Sequence, residues 1–326
     1  MEYASFESSF ARPGVPPKAI RTGYQDSENL RALPNTPALF VLTAPRSGTT
    51  LTSYIVKQIH DGDASDSGYD GTGYFQSHNE RVPWVDGLFF PREELERLVG
   101  VAQDADLRLL YKTHLEPDAI PAIEGARMMI VGRPPADVAV SLWDYFTGIK
   151  PFGFAVHDEA AKGRGWNNGT FPRPTDYESP GDFFRQWVNR RGFPFVDLVE
   201  IYRQAWSLRG REDVLLLHYN EIIGDLPGAV RRIADFERVN LSDARIQEIV
   251  QLCKFDEMRR QSRAIAPSHK RFDTEHHLNK GIAGRGHEIF PREQFLDEYH
   301  VLENALGSEC FQWLNKTSQP PGDLLP

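Results

Sequence analysis

The strongest constraint on the fold is an alternation of short apolar runs with segments of helical periodicity. Apolar runs that end in polar or basic residues occupy 39–43 (LFVLT), 107–114 (LRLLYKTH), 126–133 (ARMMIVGR) and 213–219 (DVLLLHY). Apolar residues recur at helical spacing in 51–59, 91–105, 135–146 and 226–236. Strands and helices that alternate in this way form a parallel sheet with helices on both faces. The sequence therefore predicts an α/β fold, a central parallel β-sheet flanked by helices.

The first strand runs into a turn, TAPRSGTT, before its helix begins. Gly48 tolerates backbone angles that other residues avoid. The amides and hydroxyls of Ser47, Thr49 and Thr50 converge at a helix N-terminus, where partial positive charge gathers. This arrangement favours an anion site, but Ser and Thr also cap ordinary helices. The turn alone leaves both interpretations open.

The turn differs from the triphosphate-binding loop GxxxxGK[ST]. With Gly48 and Thr50 held in register, that pattern requires Gly at the position of Thr43 and Lys at the position of Thr49. The lysine that supports magnesium-dependent phosphoryl transfer is therefore missing. Instead Arg46 precedes the glycine, and its guanidinium can form paired hydrogen bonds to a phosphate or sulfonate group.

Basic and polar residues also follow two further predicted strands. Lys112 and His114 end the second run, and Arg133 ends the third. Because ligands of parallel α/β sheets bind beyond the carboxyl ends of the strands, we expect these groups to converge with the turn at 46–50. Each has a structural alternative when taken alone: His114 as a hydrogen-bonded structural residue, and Arg133 as a partner of Asp137 or a cap of its sheet.

Composition limits the classes of function. The chain has 326 residues, 40% of them hydrophobic, so it can bury a large core, and we favour a single domain. A formal charge of -9 argues against a nucleic-acid partner. No leader and no bilayer-spanning stretch are evident, so we expect a cytoplasmic protein without membrane association. Cys253 and Cys310 are too few for a disulfide framework and lack metal-ligand spacing, which favours inert buried thiols in a reducing compartment.

The chain divides into three parts by composition. Residues 1–37 are rich in Pro, Ser and charge and are predicted to form a partly irregular N-terminal extension. Residues 38–316 are predicted to form the domain, and 317–326 a C-terminal tail. Within the domain, the stretch 148–180 is long and dense in Gly, Pro and Asn, which is typical of a lid, a binding loop or disorder.

Four motifs, in this order, resemble the cytosolic-type sulfotransferases that use 3'-phosphoadenosine-5'-phosphosulfate (PAPS). They are PRSGTT after a strand, YKTH at a second strand end, VGRPPADVAVS from a third strand into a helix, and NKGIAG near the C-terminus. The likeness extends from about residue 39 to residue 311. It implies a P-loop nucleoside-triphosphate-hydrolase-like sulfotransferase fold. It also implies transfer of a sulfuryl group from PAPS to a hydroxyl, less readily an amine, with release of adenosine 3',5'-bisphosphate (PAP) and no required metal.

The resemblance implies roles for individual residues. His114 matches the catalytic base, Lys112 its companion, and Arg46 the basic residue that contacts the transferring group. The residues matched to PAPS binding are Arg46, Ser47, Gly48, Thr49 and Thr50 for the 5'-phosphosulfate, Arg133, Ser141, Lys280 and Gly281 for the 3'-phosphate, and Tyr219 and Phe255 near the adenine.

Acceptor recognition is less constrained. The segment RVPWVDG resembles a family segment that gates the acceptor pocket, which makes Trp84 a candidate wall, with Phe152, Phe154 and Trp166 as weaker candidates. Aromatic walls suit a small-molecule or natural-product acceptor. Two rival interpretations stay open: a P-loop kinase-like phosphotransferase, and a non-catalytic adenosine-bisphosphate-binding protein.

Overall fold

The structure, a computed structural model, describes residues 9–10, 21–22, 25–26, 28–61, 75, 77–86, 91–148, 173–192, 196–265 and 281–316. The strands are β1 (Arg21–Thr22), β2 (Gln25–Asp26), β3 (Ala38–Thr43), β4 (Leu109–Thr113), β5 (Arg127–Gly132) and β6 (Val214–His218). The helices are α1 (Thr49–His60), α2 (His78–Arg81), α3 (Arg92–Asp104), α4 (Pro135–Gly148), α5 (Pro180–Asn189), α6 (Leu198–Ser207), α7 (Tyr219–Gly224), α8 (Leu226–Glu237), α9 (Asp243–Leu252), α10 (Phe255–Arg260), α11 (Ser262–Ile265), α12 (Arg285–Ile289), α13 (Leu296–Leu306) and α14 (Ser308–Leu314), with 3-10 turns at Glu28–Ala32, Pro117–Ala119 and Pro174–Asp176.

The central sheet is parallel, with strand order β4-β3-β5-β6. Its residues divide between two cores because successive side chains of a strand point to opposite faces. In β3, Ala38, Phe40 and Leu42 pack into one hydrophobic core, and Leu39 and Val41 pack into the other. All six residues of β3 are buried, as expected for a strand covered on both faces. The predicted α/β fold with a central parallel sheet is confirmed.

The strand order places a switch point between β3 and β5. The chain leaves β3 through α1 and reaches β4 on one side, and it leaves β5 through α4 and later forms β6 on the other side. Connections that diverge in this way open a crevice beyond the carboxyl ends of the two strands. The turn at 44–48 follows β3 and Arg133 follows β5, so both lie at this crevice.

The last described helix, α14, closes the sheet behind the crevice. The indole of Trp313 lies over the end of β5, so close that a Cβ added to Gly132 would lie 2.4 Å from the ring. The same indole contacts the ring of Tyr202 edge to face at a centroid distance of 6.2 Å. Nε2 of His218 bonds to the carbonyl of Leu314 at 3.0 Å. The C-terminal helix is therefore fixed to both β5 and β6.

In the described ranges no helix is both long and apolar enough to cross a membrane.

Candidate active site

The turn after β3 has two residues in the left-handed region. Arg46 has φ 64° and Gly48 has φ 92°. The glycine is required for a second reason, because a Cβ at this position would lie 2.6 Å from the ring of Tyr219. Helix α1 begins directly afterwards at Thr49, and no side chain caps its N-terminus. The turn is therefore not an ordinary side-chain-capped helix start, and the positive end of the α1 dipole, which favours an anion, lies at it.

Hydroxyl groups order the inner side of the turn. Thr49 Oγ1 lies 2.5 Å from Thr43 Oγ1, and the hydroxyl of Tyr202 donates to Ser47 Oγ at 3.1 Å. The Tyr202 hydroxyl also lies 3.2 Å from the carbonyl of Val131 in β5. Burial raises the pKa of Tyr202 to about 12, so this group remains a hydroxyl at neutral pH. It links the turn to the neighbouring strand.

Two arginines meet at the crevice. Nη1 of Arg133 donates to the backbone carbonyl of Arg46 at 2.5 Å, and Nε of Arg46 donates to Ser141 Oγ on α4 at 3.1 Å. The Arg133 guanidinium lies over the ring of Tyr219, 4.5 Å from its centroid. Burial, assisted by the charge of Arg133, lowers the pKa of Arg46 below its usual 12.5. Like charges held this close favour a bound anion between or beside them.

Arg133 retains hydrogen-bonding capacity. It is 8% exposed, and its Nε makes no hydrogen bond within the described part of the chain. The structure does not pair it with Asp137. That carboxylate instead accepts the backbone amides of Gly284 at 2.8 Å and Gly286 at 2.6 Å. The structural alternative in which Arg133 pairs with Asp137 therefore does not apply.

The segment 281–284, which we call the C-terminal site loop, completes this side of the crevice. Its Ile282 carbonyl accepts a long hydrogen bond from Arg133 Nη2 at 3.4 Å. Gly281 has φ 65°, and a Cβ there would lie 2.6 Å from the ring of Phe255. Gly281 and Phe255 are thus in contact, in the same relation as Gly48 and Tyr219. Lys280 lies outside the described residues.

His114 is oriented by three contacts. Its Nδ1 lies 2.6 Å from the carbonyl of Thr43, an acceptor, so Nδ1 carries the proton and Nε2 is left with its lone pair. Its backbone amide donates to Asp86 at 2.8 Å, and its ring lies against Trp84 at a centroid distance of 4.5 Å. Burial lowers the pKa of His114 to about 4, and the charge of Lys112 acts in the same direction. The imidazole is therefore neutral at pH 7 and able to accept a proton.

Lys112 is buried beside the histidine. It is 2% exposed, its Nζ donates to Asn79 Oδ1 at 2.5 Å, and Nζ lies 5.3 Å from the centroid of the Trp84 ring. Burial lowers the pKa of Lys112 well below its usual 10.5. A bound anion would offset this cost, because an opposite charge nearby favours the protonated form.

Three residues at the site escaped the sequence analysis. Asp86, in the segment that pointed to Trp84, accepts the hydroxyl of Thr113 at 2.6 Å and the His114 amide. The other two are Asn79 and Tyr202. The segment RVPWVDG contains Asp86 without indicating a role for it, and no motif marks Asn79 or Tyr202.

Most of the predicted site residues lie in one region of the structure. The structure brings together the turn at 46–50, Lys112, His114, Arg133, Ser141, Tyr219, Phe255 and Gly281, through the contacts described above. The aromatic residues Phe152, Phe154 and Trp166 lie outside the described residues, as does the part of the predicted lid between 149 and 172. Within the described ranges, no three His, Cys, Asp or Glu side chains are grouped as metal ligands.

A sulfotransferase domain family model matches residues 36–304. The chain belongs to the sulfotransferase family. One relative is the glycolipid sulfotransferase of Mycobacterium bovis (strain BCG / Pasteur 1173P2). It is 24% identical over 314 residues, which cover 89% of this chain and 92% of that protein. Sulfotransferase 1E1 of Mus musculus is 22% identical over 287 residues, 85% of this chain and 86% of that protein. The expected membership of an enzyme family is confirmed.

Solved sulfotransferase-type structures share the fold. Retinol dehydratase in a complex with retinol and PAP superimposes with a TM-score of 0.61 and 22% identity, covering 86% of this chain and 84% of that chain. Mouse sulfotransferase SULT7A1 complexed with PAP gives a TM-score of 0.61 and 16% identity, covering 86% and 89%. These similarities extend the confirmed α/β assignment to the sulfotransferase fold.

Proposed function

We propose that this sulfotransferase transfers the sulfuryl group of PAPS to a hydroxyl of a small-molecule acceptor, less readily to an amine. The observation that carries the proposal is the juxtaposition, at one switch-point crevice, of a helix N-terminus without a side-chain cap, two arginines and a neutral histidine whose Nδ1 is bonded to the Thr43 carbonyl. The names of the relatives and the PAP found in structural neighbours support the same donor chemistry.

The residues present suit a nucleotide with two anionic ends. The turn at 46–50 offers backbone amides and the Arg46 guanidinium to the 5'-phosphosulfate. Arg133, whose Nε has no hydrogen-bond partner among the described residues, and Ser141 lie next to that turn and suit the 3'-phosphate. We propose that Tyr219 and Phe255 contact the adenine and that Lys280 and Gly281 bind the 3'-phosphate. This second phosphate is remote from the reacting atoms, so it supplies binding energy that positions the donor.

The transfer step assigns a separate task to each group. The acceptor oxygen forms a bond to sulfur while the bond from sulfur to the bridging phosphate oxygen breaks. His114 Nε2 takes the acceptor proton as general base, because Nδ1 is already committed to the Thr43 carbonyl. The electron pair leaves with PAP, and its charge is stabilised by Arg46, Lys112 and the amides of the turn. Trp84, in contact with His114, forms a wall of the acceptor pocket.

Transfer from PAPS labelled in the sulfuryl group tests the proposal. A panel of phenols, sterols and glycolipids should contain acceptors that gain label, and removal of the base in His114→Ala should lower turnover by about 10²–10⁴-fold. PAP binding should persist in that variant. Arg133→Ala should instead weaken PAP binding first.

The outcomes separate this function from its rivals. PAP binding without label transfer to any acceptor would favour a non-catalytic adenosine-bisphosphate-binding protein. Phosphate transfer from ATP in the presence of Mg²⁺ would favour a kinase-like phosphotransferase. Near-normal turnover of His114→Ala would remove this residue from the mechanism.

A further inference from the structure

The buried ammonium of Lys112 has a neutral partner. Its Nζ donates to Asn79 Oδ1 at 2.5 Å, and the two residues are 2% and 3% exposed. Among the described residues no carboxylate forms an ion pair with Lys112. Buried charges are ordinarily paired with opposite charges, because an isolated charge is costly to remove from water. An amide oxygen satisfies one N–H of the ammonium and leaves its charge uncancelled.

Asn79 is held rigidly by the residues on either side of it. His78, fully buried, lies with Nε2 2.7 Å from Ser53 Oγ of α1. Arg81 forms a buried ion pair with Asp61, which follows α1, at 2.8 Å. The helix that carries Asn79 is thus fastened to the helix that follows the anion-binding turn. These buried contacts hold the backbone from which the Asn79 amide reaches Lys112.

The other end of the Asn79 amide is unused. Its Nδ2 is buried and has no hydrogen-bond partner in the described part of the chain. Buried amide groups are normally satisfied at both ends, so an unsatisfied donor indicates a role beyond packing. Nδ2 is attached to the same carbon as Oδ1 and therefore lies beside the ammonium.

We propose that Asn79 is a positioning residue for sulfuryl transfer, whose amide holds the Lys112 ammonium at the carboxyl end of β4 without neutralising it. The charge thereby stays available to the phosphosulfate end of the donor. The inference rests on the proposed function, since Lys112 has this task only if the donor binds here.

The test replaces the amide with a carboxylate of the same shape. In Asn79→Asp the carboxylate pairs with Lys112, cancels its charge and repels the 5'-phosphate of PAP. We expect PAP, titrated by calorimetry into the full chain, to bind at least about tenfold more weakly than to wild type. Asn79→Ala removes the acceptor without adding a charge, so it should bind PAP clearly more tightly than Asn79→Asp.

The pH dependence of PAP affinity gives a readout that a packing defect would not move. In wild type the affinity should fall as pH rises through the lowered pKa of Lys112, because PAP binds its protonated form. The carboxylate in Asn79→Asp raises that pKa, so the fall should move to higher pH. The elements packed against Lys112 present the Asn79 amide and the Trp84 ring, and the titratable neighbour on its own strand end is His114.

Asn315→Asp is the matched control. Asn315 lies after α14, where its Nδ2 donates to the Phe311 carbonyl at 2.8 Å and its Oδ1 is buried. This substitution also introduces a carboxylate at a largely enclosed amide, so it should lower the melting temperature without changing the PAP affinity or its pH dependence.

Two results would overturn the inference. One is an Asn79→Asp protein that melts as a folded protein and binds PAP with wild-type affinity and pH dependence. The other is equal weakening in Asn79→Asp and Asn79→Ala without a shift in the pH profile, which would mark a packing role. Failure of wild type itself to bind PAP would instead refute the proposed function, and this inference with it.

Discussion

Substitution of Gly48 by alanine offers a sharp test of how the donor site is built. At φ 92° an alanine carries a steric cost of about 1–2 kcal/mol, because its Cβ approaches the following carbonyl. The Cβ would also lie 2.6 Å from Cδ2 of Tyr219, well inside the optimal carbon–carbon separation of about 3.5–4.0 Å. The ring must move, and it carries Arg133 on its face.

Displacement of the Tyr219 ring would affect the proposed PAP site through the guanidinium of Arg133. Arg133 bonds to the carbonyl of Arg46 at 2.5 Å, so a shifted Tyr219 disturbs both arginines. Loss of one charged hydrogen bond costs about 1.5–3 kcal/mol. Since about 1.4 kcal/mol corresponds to a tenfold change in dissociation constant, Gly48→Ala should weaken PAP binding by at least about tenfold.

Substitutions at two other glycines distinguish the cost of backbone strain from the cost of the collision with Tyr219. Gly307, with φ 81° and ψ 146°, lies in a backbone region that essentially only glycine occupies, and nothing lies within 4 Å of an added Cβ, so Gly307→Ala should lose about 1–3 kcal/mol of stability and bind PAP normally. Gly100 lies inside α3, also with open space, and Gly100→Ala should gain about 0.5–1 kcal/mol of stability. Denaturant unfolding and calorimetric titration of PAP measure the two quantities. If Gly48→Ala bound PAP as tightly as Gly100→Ala, the close contact between the turn and Tyr219 would be refuted.

Three further predictions concern the same region. Burial holds the pKa of His114 near 4, below the 6.5 of an unfolded chain. The pH profile of kcat/KM should therefore show no histidine inflection between pH 8 and about 5, and an inflection near 6.5 would contradict this. The free energy of unfolding should fall as pH drops from 6.5 towards 4, because the unfolded chain then binds a proton that the folded protein does not. Tyr202→Phe should weaken PAP binding by about 0.5–1.5 kcal/mol, because it releases Ser47. Tyr111→Phe is the control: it removes a buried hydroxyl that has no partner in the described structure, so it should leave PAP binding unchanged. Equal effects in the two variants would argue against the Ser47 contact. Asp137→Ala should release the C-terminal site loop and reduce the rise in melting temperature that PAP produces, and an unchanged rise would show that the loop does not support binding.

The layered fold could be predicted because its pattern is local. Residues 38–43 are buried on both faces, and an uninterrupted apolar run of that length, followed by a turn and helical periodicity, is the usual sequence of such a strand. The same holds for the residues at or directly after the carboxyl ends of strands, such as Lys112, His114 and Arg133. Their proximity follows from parallel strand order alone.

The supporting residues could not be predicted because their partners are distant in sequence. Asn79 precedes Lys112 by 33 positions, and Tyr202 follows Ser47 by 155. For Asp137 the sequence allows a partner nearby, and the structure shows distant ones. Its spacing from Arg133 allowed an ion pair, yet the carboxylate binds amides 147 and 149 positions away. Whether a side chain bonds to a partner near in sequence or to one far away depends on tertiary packing, and a single sequence does not reveal that packing.

The contact of Ile282 with Arg133 joins residues 149 positions apart, so the crevice is completed only after the long segment between them has been made. During translation the arginines emerge from the ribosome well before the C-terminal site loop that covers them. A nascent chain therefore carries a half-built, strongly cationic pocket. We therefore expect full affinity for PAP only once the C-terminal site loop has been made and has packed against Arg133.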